Sequence, residues 1–224
     1  MYLNTILSVK NLVKVFKEKN YFKTIINNIS FDLKSGEILG LIGKNGSGKS
    51  TIIQMLLSVL TPTSGSIEYF KKDLFQYRSE ILKDVNFVSN YVKLPDKLTV
   101  KENLNIYLEI YNKNNKNNKN YIKNYLDAFN LYKYIDSKIE ILSSGENLKL
   151  MIIKALITNP KILLLDEPTS QIDPESAQQI REFILTKQKE NNLSIILTSH
   201  NIQEINYMCN RVICIKNGQI DYAN

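Results

Sequence analysis

An α/β fold with a mostly parallel central sheet, an N-terminal antiparallel β subdomain and an inserted α-helical subdomain is predicted for this 224-residue chain. Three observations predict it. A short apolar run, Glu37–Ile42, leads through a glycine-rich loop into Ile52–Leu60, where apolar residues recur at helical spacing. From Gly145 onward, apolar runs of strand length alternate with helical patterns, as parallel sheets require. Two β-patterned stretches, 7–16 and 25–33, precede all of this and are close enough in sequence to pair antiparallel.

The elements follow in order. After the loop and its helix, Thr61–Gly65 is a turn and 66–70 a strand; 85–89 is a further core strand. From Val100 to Ser137 the pattern is amphipathic helix. Leu104, Tyr107, Leu108 and Tyr111 share one face, and Tyr121, Tyr125, Leu126 and Phe129 another. Asn112–Asn120 offers nothing apolar to bury and reads as a solvated linker. The C-terminal part predicts helix 145–158, strand 161–165, helix 174–190, strand 194–198, helix 201–209 and strand 211–215. It completes the sheet begun by the N-terminal part, so the division is a catalytic core of 1–90 and 143–224 with a helical subdomain at about 91–142.

Composition narrows the function classes. The formal net charge is +7, but the basic residues are dispersed and no nucleic-acid partner is expected. The two cysteines, Cys209 and Cys214, lack metal-ligand spacing and are expected as buried reduced thiols. No apolar run approaches the ~20 residues that span a bilayer, and the N-terminus lacks a secretion-signal layout. A cytoplasmic chain is expected, reaching a membrane only through a partner.

Gly43–Thr51 reads Gly-Lys-Asn-Gly-Ser-Gly-Lys-Ser-Thr and fits the phosphate-loop pattern at every fixed position. Gly43, Gly46 and Gly48 let the backbone curl so that N–H groups converge on an anion, with Asn45 and Ser47 as further binding positions of the loop. The following helix end adds partial positive charge. Lys49 reaches the β- and γ-phosphates, and Ser50, beside Thr51, offers a hydroxyl to Mg²⁺. The fold is thus a phosphate-loop NTPase core. Ile162–Leu165 ends in Asp166, a carboxylate at the sheet edge suited to Mg²⁺, and Glu167 follows as a base for an attacking water. His200, the single histidine, ends the run Ile195–Thr198 at the same edge and suits donation to a γ-phosphate oxygen. Leu142-Ser143-Ser144-Gly145-Glu146 opens a helix with a capping-box pattern.

Together these stretches resemble the ATP-binding cassette (ABC) ATPase family over essentially the whole chain. Gly43–Thr51, Leu142–Glu146, Ile162–Pro168 and Thr198-Ser199-His200 carry the resemblance, and Leu142–Glu146 is its specific signature. The resemblance implies ATP and Mg²⁺ as ligands and two cassettes paired head to tail. Ser143, Ser144, Gly145 and Glu146 of one subunit then face the nucleotide on the other, and Ser170–Asp173 crosses the interface. It implies an aromatic stacked on adenine, for which Phe16, Tyr21 and Phe22 compete, Phe16 foremost. Asn90 stands where the family has a glutamine near Mg²⁺, Ser144 replaces a glycine, and Lys149 replaces an arginine. Leu98–Leu104 looks like the start of the family's helical subdomain.

The implied role is the ATPase subunit of a transporter, docked on a separate integral membrane permease at the inner face of the membrane, as a homodimer or a heterodimer. The layout looks most like single-cassette subunits of bacterial exporters for drugs, antimicrobial peptides or lipids. The alternative is a non-transport cassette ATPase acting on a soluble or nucleic-acid complex. Only 91 residues separate Thr51 from Ser143, which leaves no room for the long coiled coil of the chromosome-maintenance members. A phosphate-loop kinase or GTPase gives no reason for the Ser143–Glu146 signature.

Overall fold

A computed structural model of the chain describes residues 4–17, 21–89, 91–111 and 118–221. Two sheets form the framework. β1 (Thr5–Lys17), β2 (Phe22–Lys34), β4 (Ser64–Tyr69) and β5 (Lys72–Asp73) make an antiparallel sheet in the order β2-β1-β4-β5. The second sheet runs β10-β9-β3-β8-β7-β6, built from β3 (Ile38–Ile42), β6 (Val85–Ser89), β7 (Ile162–Asp166), β8 (Ser194–Ser199), β9 (Arg211–Lys216) and β10 (Gln219–Asp221). Five of its strands are parallel, and β10 returns antiparallel to β9. β7 and β8 are buried at every position, as parallel strands covered on both faces must be.

Two apolar layers flank this sheet. One gathers Ile52, Ile53, Met55 and Leu56 of α1 (Lys49–Leu56) with the inner face of the antiparallel sheet. The other gathers α3 (Val100–Ile110), α5 (Ser144–Leu156), α6 (Pro174–Asn191) and α7 (Ile202–Met208) against the opposite face. A short α2 (Arg78–Ile81) precedes β6, and α4 (Asn118–Asp127) joins the helical layer. Helix starts carry their own punctuation. Thr99 and Glu102 form a capping box on α3, and Asp173 caps α6 with Pro174 at its first position.

The strand order decides where chemistry collects. β3 lies between β9 and β8, and β8 lies between β3 and β7. Register pairs Ile42 with Ser199 and Asp166 with Thr198. The C-terminal ends of β3, β8 and β7 therefore meet at one edge, where open α/β sheets bind ligands.

Several expectations change. The helical region is two helices, α3 and α4, on either side of the expected linker, but the helical pattern read as far as Ser137 gives way after Asp127 to single 3-10 turns at Tyr132–Tyr134 and Ile139–Ile141. Helix α4 starts at Asn118, inside the expected linker; residues 112–117 of that linker lie outside the described residues. Its buried face is Ile122, Tyr125 and Leu126, with Tyr121 turned outward, because the helix phase sets Ile122 on the core side. β10 is an added strand. Asn217 and Gly218 both take positive φ, 50° and 74°, the turn geometry that matches strand twist, and Asn-Gly adopts it at low cost. The cysteines are free and only partly buried.

Candidate functional site

The phosphate loop leaves β3 at Ile42 and enters α1 at Lys49. Gly48 holds φ 108°, and a Cβ there would sit 2.5 Å from Ile26 Cδ1. Only glycine fits this helix start. Lys49 is 5% exposed. Its Nζ donates to the Gly43 carbonyl at 2.7 Å and the Lys44 carbonyl at 3.3 Å, and pairs with Glu167 Oε1 at 3.4 Å. A buried ammonium held on loop carbonyls beside one carboxylate is poised to meet an anion at the same place.

Asp166 ends β7. Its Oδ1 accepts from Ser50 Oγ at 3.1 Å and from Thr198 Oγ1 at 2.6 Å. Ser50 and Asp166 are two hard oxygen donors side by side. That set fits Mg²⁺, which takes one or two protein oxygens and completes its shell with water and phosphate oxygens. No group of three or more His, Cys, Asp or Glu among the described residues is placed to hold a metal alone.

Glu167 follows in a left-handed conformation, φ 51°. A non-glycine residue held there costs about 1–3 kcal/mol, and such strain collects at functional sites. The turn is secured by the Glu167 N–H, which lies 3.1 Å from both Thr198 Oγ1 and the Thr198 carbonyl. It brings Glu167 Oε2 within 2.6 Å of His200 Nδ1 while Oε1 faces Lys49. One carboxylate thus bridges the phosphate-loop lysine and the single histidine.

These groups line a cleft of about 770 Å³ that includes Lys49, Ser50, Thr51, Glu167 and His200. Asn45, Gly46, Gly48 and Phe16 also line it. Phe16 is 38% exposed with Lys14 Nζ 5.0 Å above its ring, and the rivals Tyr21 and Phe22 lie outside the lining. Gly43 and Ser47 face a neighbouring cleft of about 530 Å³ instead. Asn90 lies outside the described residues.

The signature residues form a separate group. Ser143 caps α5, and its Oγ accepts from the Glu146 N–H at 3.3 Å. The Glu146 carboxylate accepts from Ser143 N at 3.0 Å and Ser143 Oγ at 2.8 Å. The Ser143 N–H and hydroxyl bonds hold the Glu146 carboxyl below its usual range. A Cβ on Gly145 would lie 3.3 Å from Ser176 Oγ and 3.7 Å from Asp173 Oδ2, so the starts of α5 and α6 abut. Ser144 is exposed in the first turn of α5. None of Ser143, Ser144, Gly145, Glu146 or Asp173 lines the 770 Å³ cleft of its own chain.

Sequence reasoning counted Thr198 only as part of the Thr198-Ser199-His200 stretch, with no role of its own, and gave none to Lys23, Ile25 or Tyr91; these hold or line the site. Thr198 carried a readable signal, a hydroxyl ending an otherwise apolar run beside the single histidine.

A family model described as "ABC transporter" matches residues 26–170, more than half of the chain. The chain belongs to the ABC transporter family. It is an ATP-binding cassette, the ATPase subunit type of these transporters. A second model, described as an AAA domain, matches residues 140–206 of the cassette. Relatives agree. The bacitracin transport ATP-binding protein of Bacillus licheniformis is 32% identical over 97% of this cassette and 69% of its own length. A methionine import ATP-binding protein of Shouchella clausii is 31% identical over 96% of this cassette and 64% of its own length. The fold matches that of a dimeric cassette bound to ADP and phosphate, with TM-score 0.86, 24% identity, and 96% and 97% of the two chains covered. It also matches a Clostridium perfringens cassette described as part of an ABC transporter complex, with TM-score 0.80, 25% identity, and 97% and 87% covered. No helix among the described residues is long and apolar enough to cross a membrane.

Proposed function

We propose that this cassette dimerises head to tail around two ATP molecules and that their hydrolysis drives a separate integral membrane permease. The observation that carries the reading is the convergence of Lys49, Glu167 and His200 on one another at the mouth of the phosphate-loop cleft. In this reading Lys49 and the loop N–H groups hold the β- and γ-phosphates. Phe16 stacks on the adenine. Ser50 and Asp166 hold Mg²⁺, which when bound offsets phosphate charge; Asn90 is a third candidate ligand. The Glu167 carboxylate orients the attacking water and takes its proton. His200 keeps Glu167 aimed and donates to the γ-phosphate.

The Ser143–Glu146 helix start stands in its own chain with its capping box complete and outside the lining of the 770 Å³ cleft. We assign its partner as the nucleotide of the second cassette, with Asp173 at the same seam. A helix N-terminus facing concentrated phosphate charge makes ATP the adhesive and its hydrolysis the release. The core is residues 1–90 and 143–224, and the helical subdomain about 91–142 offers the permease groove near Asn90–Leu98. The cassette then sits at the cytoplasmic face of the membrane through that permease.

For direction we propose export of a drug, antimicrobial peptide or lipid, supported by the bacitracin transport relative. The methionine import relative is matched at nearly equal identity, so the permease is the test. Mild solubilisation of native membranes with the tagged chain is expected to co-purify a polytopic protein in stoichiometric amount. Purely soluble recovery, with ribosomal, nucleic-acid or no partners, would refute the transporter assignment. The site itself is tested by Glu167→Gln, which is expected to hold ATP without turnover and to elute as a dimer. An ATP-loaded variant that stays monomeric would count against the paired arrangement.

A further inference from the structure

We propose that Glu204 of α7 is a positioning residue that clamps the loop carrying Glu167 to the loop carrying His200. The side chain is 4% exposed although it sits in the first turn of a helix. Its Oε1 accepts from Thr169 Oγ1, two residues after Glu167. Its Oε2 accepts from Ser199 Oγ at 2.8 Å, one residue before His200. The clamp is itself held. Ser199 Oγ accepts from Asn201 N at 3.0 Å, and Arg181 Nη1 of α6 lies 3.9 Å from Glu204 Oε1.

A simpler account is that an acidic residue in a first turn complements the helix dipole. That account leaves the geometry unexplained. Asn201 already caps α7, accepting from the N–H groups of Gln203 at 2.9 Å and Glu204 at 3.3 Å. Glu204 turns inward instead and commits each oxygen to a hydroxyl on a different loop. A buried carboxylate is costly unless its oxygens are satisfied. Here satisfying them fixes the spacing of two backbone segments. Those segments carry the two groups that meet at 2.6 Å, Glu167 Oε2 and His200 Nδ1. If Glu204 is removed, the Glu167 N–H contacts with Thr198 still join the strand ends, but no other side-chain bond among the described residues links Thr169 to Ser199, and the Glu167–His200 pair loses that part of its set separation.

The inference rests on the roles proposed for Glu167 and His200. The test is steady-state ATPase kinetics and direct ATP-binding affinity on the full chain, for the parent and for E204A, E204Q, S199A, T169V and E167Q. A displacement near 1 Å at a reacting centre costs about 100-fold in rate. E204A is therefore expected to lower kcat by about that factor while ATP affinity changes less than about twofold. E204Q is expected to recover part of the loss. Its amide oxygen still accepts one hydroxyl, and its NH2 donates to the other hydroxyl's oxygen. S199A and T169V, each cutting one arm, are expected to lower kcat in the same direction. The clamp is overturned if E204A keeps parental kcat, or if kcat and ATP affinity fall together with no recovery in E204Q. If E204A does not fold, parental kcat in both S199A and T169V overturns it. E167Q separates the two levels. Sustained turnover in E167Q defeats the site assignment itself, whereas an inactive E167Q beside a fully active E204A defeats only the clamp.

Discussion

Replacing Lys154 by methionine should stabilise the protein, and the gain should shrink as pH rises. Lys154 is on α5, 7% exposed, with its Nζ 4.6 Å above the Tyr107 ring. Burial pushes its ammonium down from 10.5 to about 8. Below pH 8 both folded and unfolded chains carry the charge, and the folded state bears its desolvation. Between pH 8 and 10.5 the folded amine is neutral while the unfolded one is still protonated, so unfolding takes up a proton and stability rises with pH. The 2.5-unit drop corresponds to about 3.4 kcal/mol at 1.36 kcal/mol per unit. Integrated from pH 7 to pH 10, about 2.5 kcal/mol of it is recovered. The ring contact offsets about 0.5–2 kcal/mol, leaving Lys154→Met more stable at pH 7 by about 1–3 kcal/mol. Urea unfolding of parent and variant at both pH values isolates the group, because every other titration cancels in the difference. A Lys154→Met variant less stable than the parent at pH 7, or a difference independent of pH, would refute the reasoning.

Other outcomes follow from single contacts. Thr198→Val removes the hydroxyl shared by Asp166 and the Glu167 N–H, and is expected to cost ATPase activity by about tenfold to a hundredfold, the loss of about 1.4–2.7 kcal/mol of positioning, read as kcat. Glu37 is pushed up by burial but more than offset by Arg211, whose Nε lies 2.7 Å from Oε1, and by the Lys34 N–H, so its carboxyl lies below its ordinary 4.5. The stability it contributes is present above 4.5 and is lost as pH falls through the lower folded value. Glu37→Gln is expected to cost about 1.5–3 kcal/mol at pH 7 and to flatten the acid limb of a stability–pH curve. Ser143→Ala removes the α5 cap and is expected to cost about 1 kcal/mol in chemical unfolding. A loss of ATP-dependent dimer larger than that of fold stability would place Ser143 at the subunit seam.

The phosphate loop was legible because its geometry is local. Nine consecutive residues supply the curl, the N–H groups, the lysine and the helix start, and the strand before them is read from its own apolar run. The same holds for Ser143 and Glu146, whose capping box closes within one turn. Strand β10 was missed because three residues make no pattern, although Asn217-Gly218 announces the hairpin once its turn chemistry is weighed. Lys154 reads as the polar face of an amphipathic helix. It is buried because α5 is enclosed along its second half from Leu150 to Leu156, and no periodicity within α5 reports what packs on it.

The residues hardest to read are those whose partners are sheet neighbours. Thr198 meets Asp166 because β8 pairs with β7 in a register that sets the two opposite each other, 32 positions apart in the chain. Glu204 meets Thr169 at a separation of 35 for a related reason: α7 packs against β8 and β3. A motif records residues that must touch one ligand together, and ligand geometry keeps them close in sequence or at fixed strand ends. A positioning residue answers only to tertiary placement, so a glutamate on a helix looks like surface until the strands on either side of it are in register. The strained φ of Glu167 binds these two kinds of information together. The sequence places the carboxylate at the end of β7, but Thr198 and Glu204, supplied by other segments, keep it turned toward Lys49 and His200.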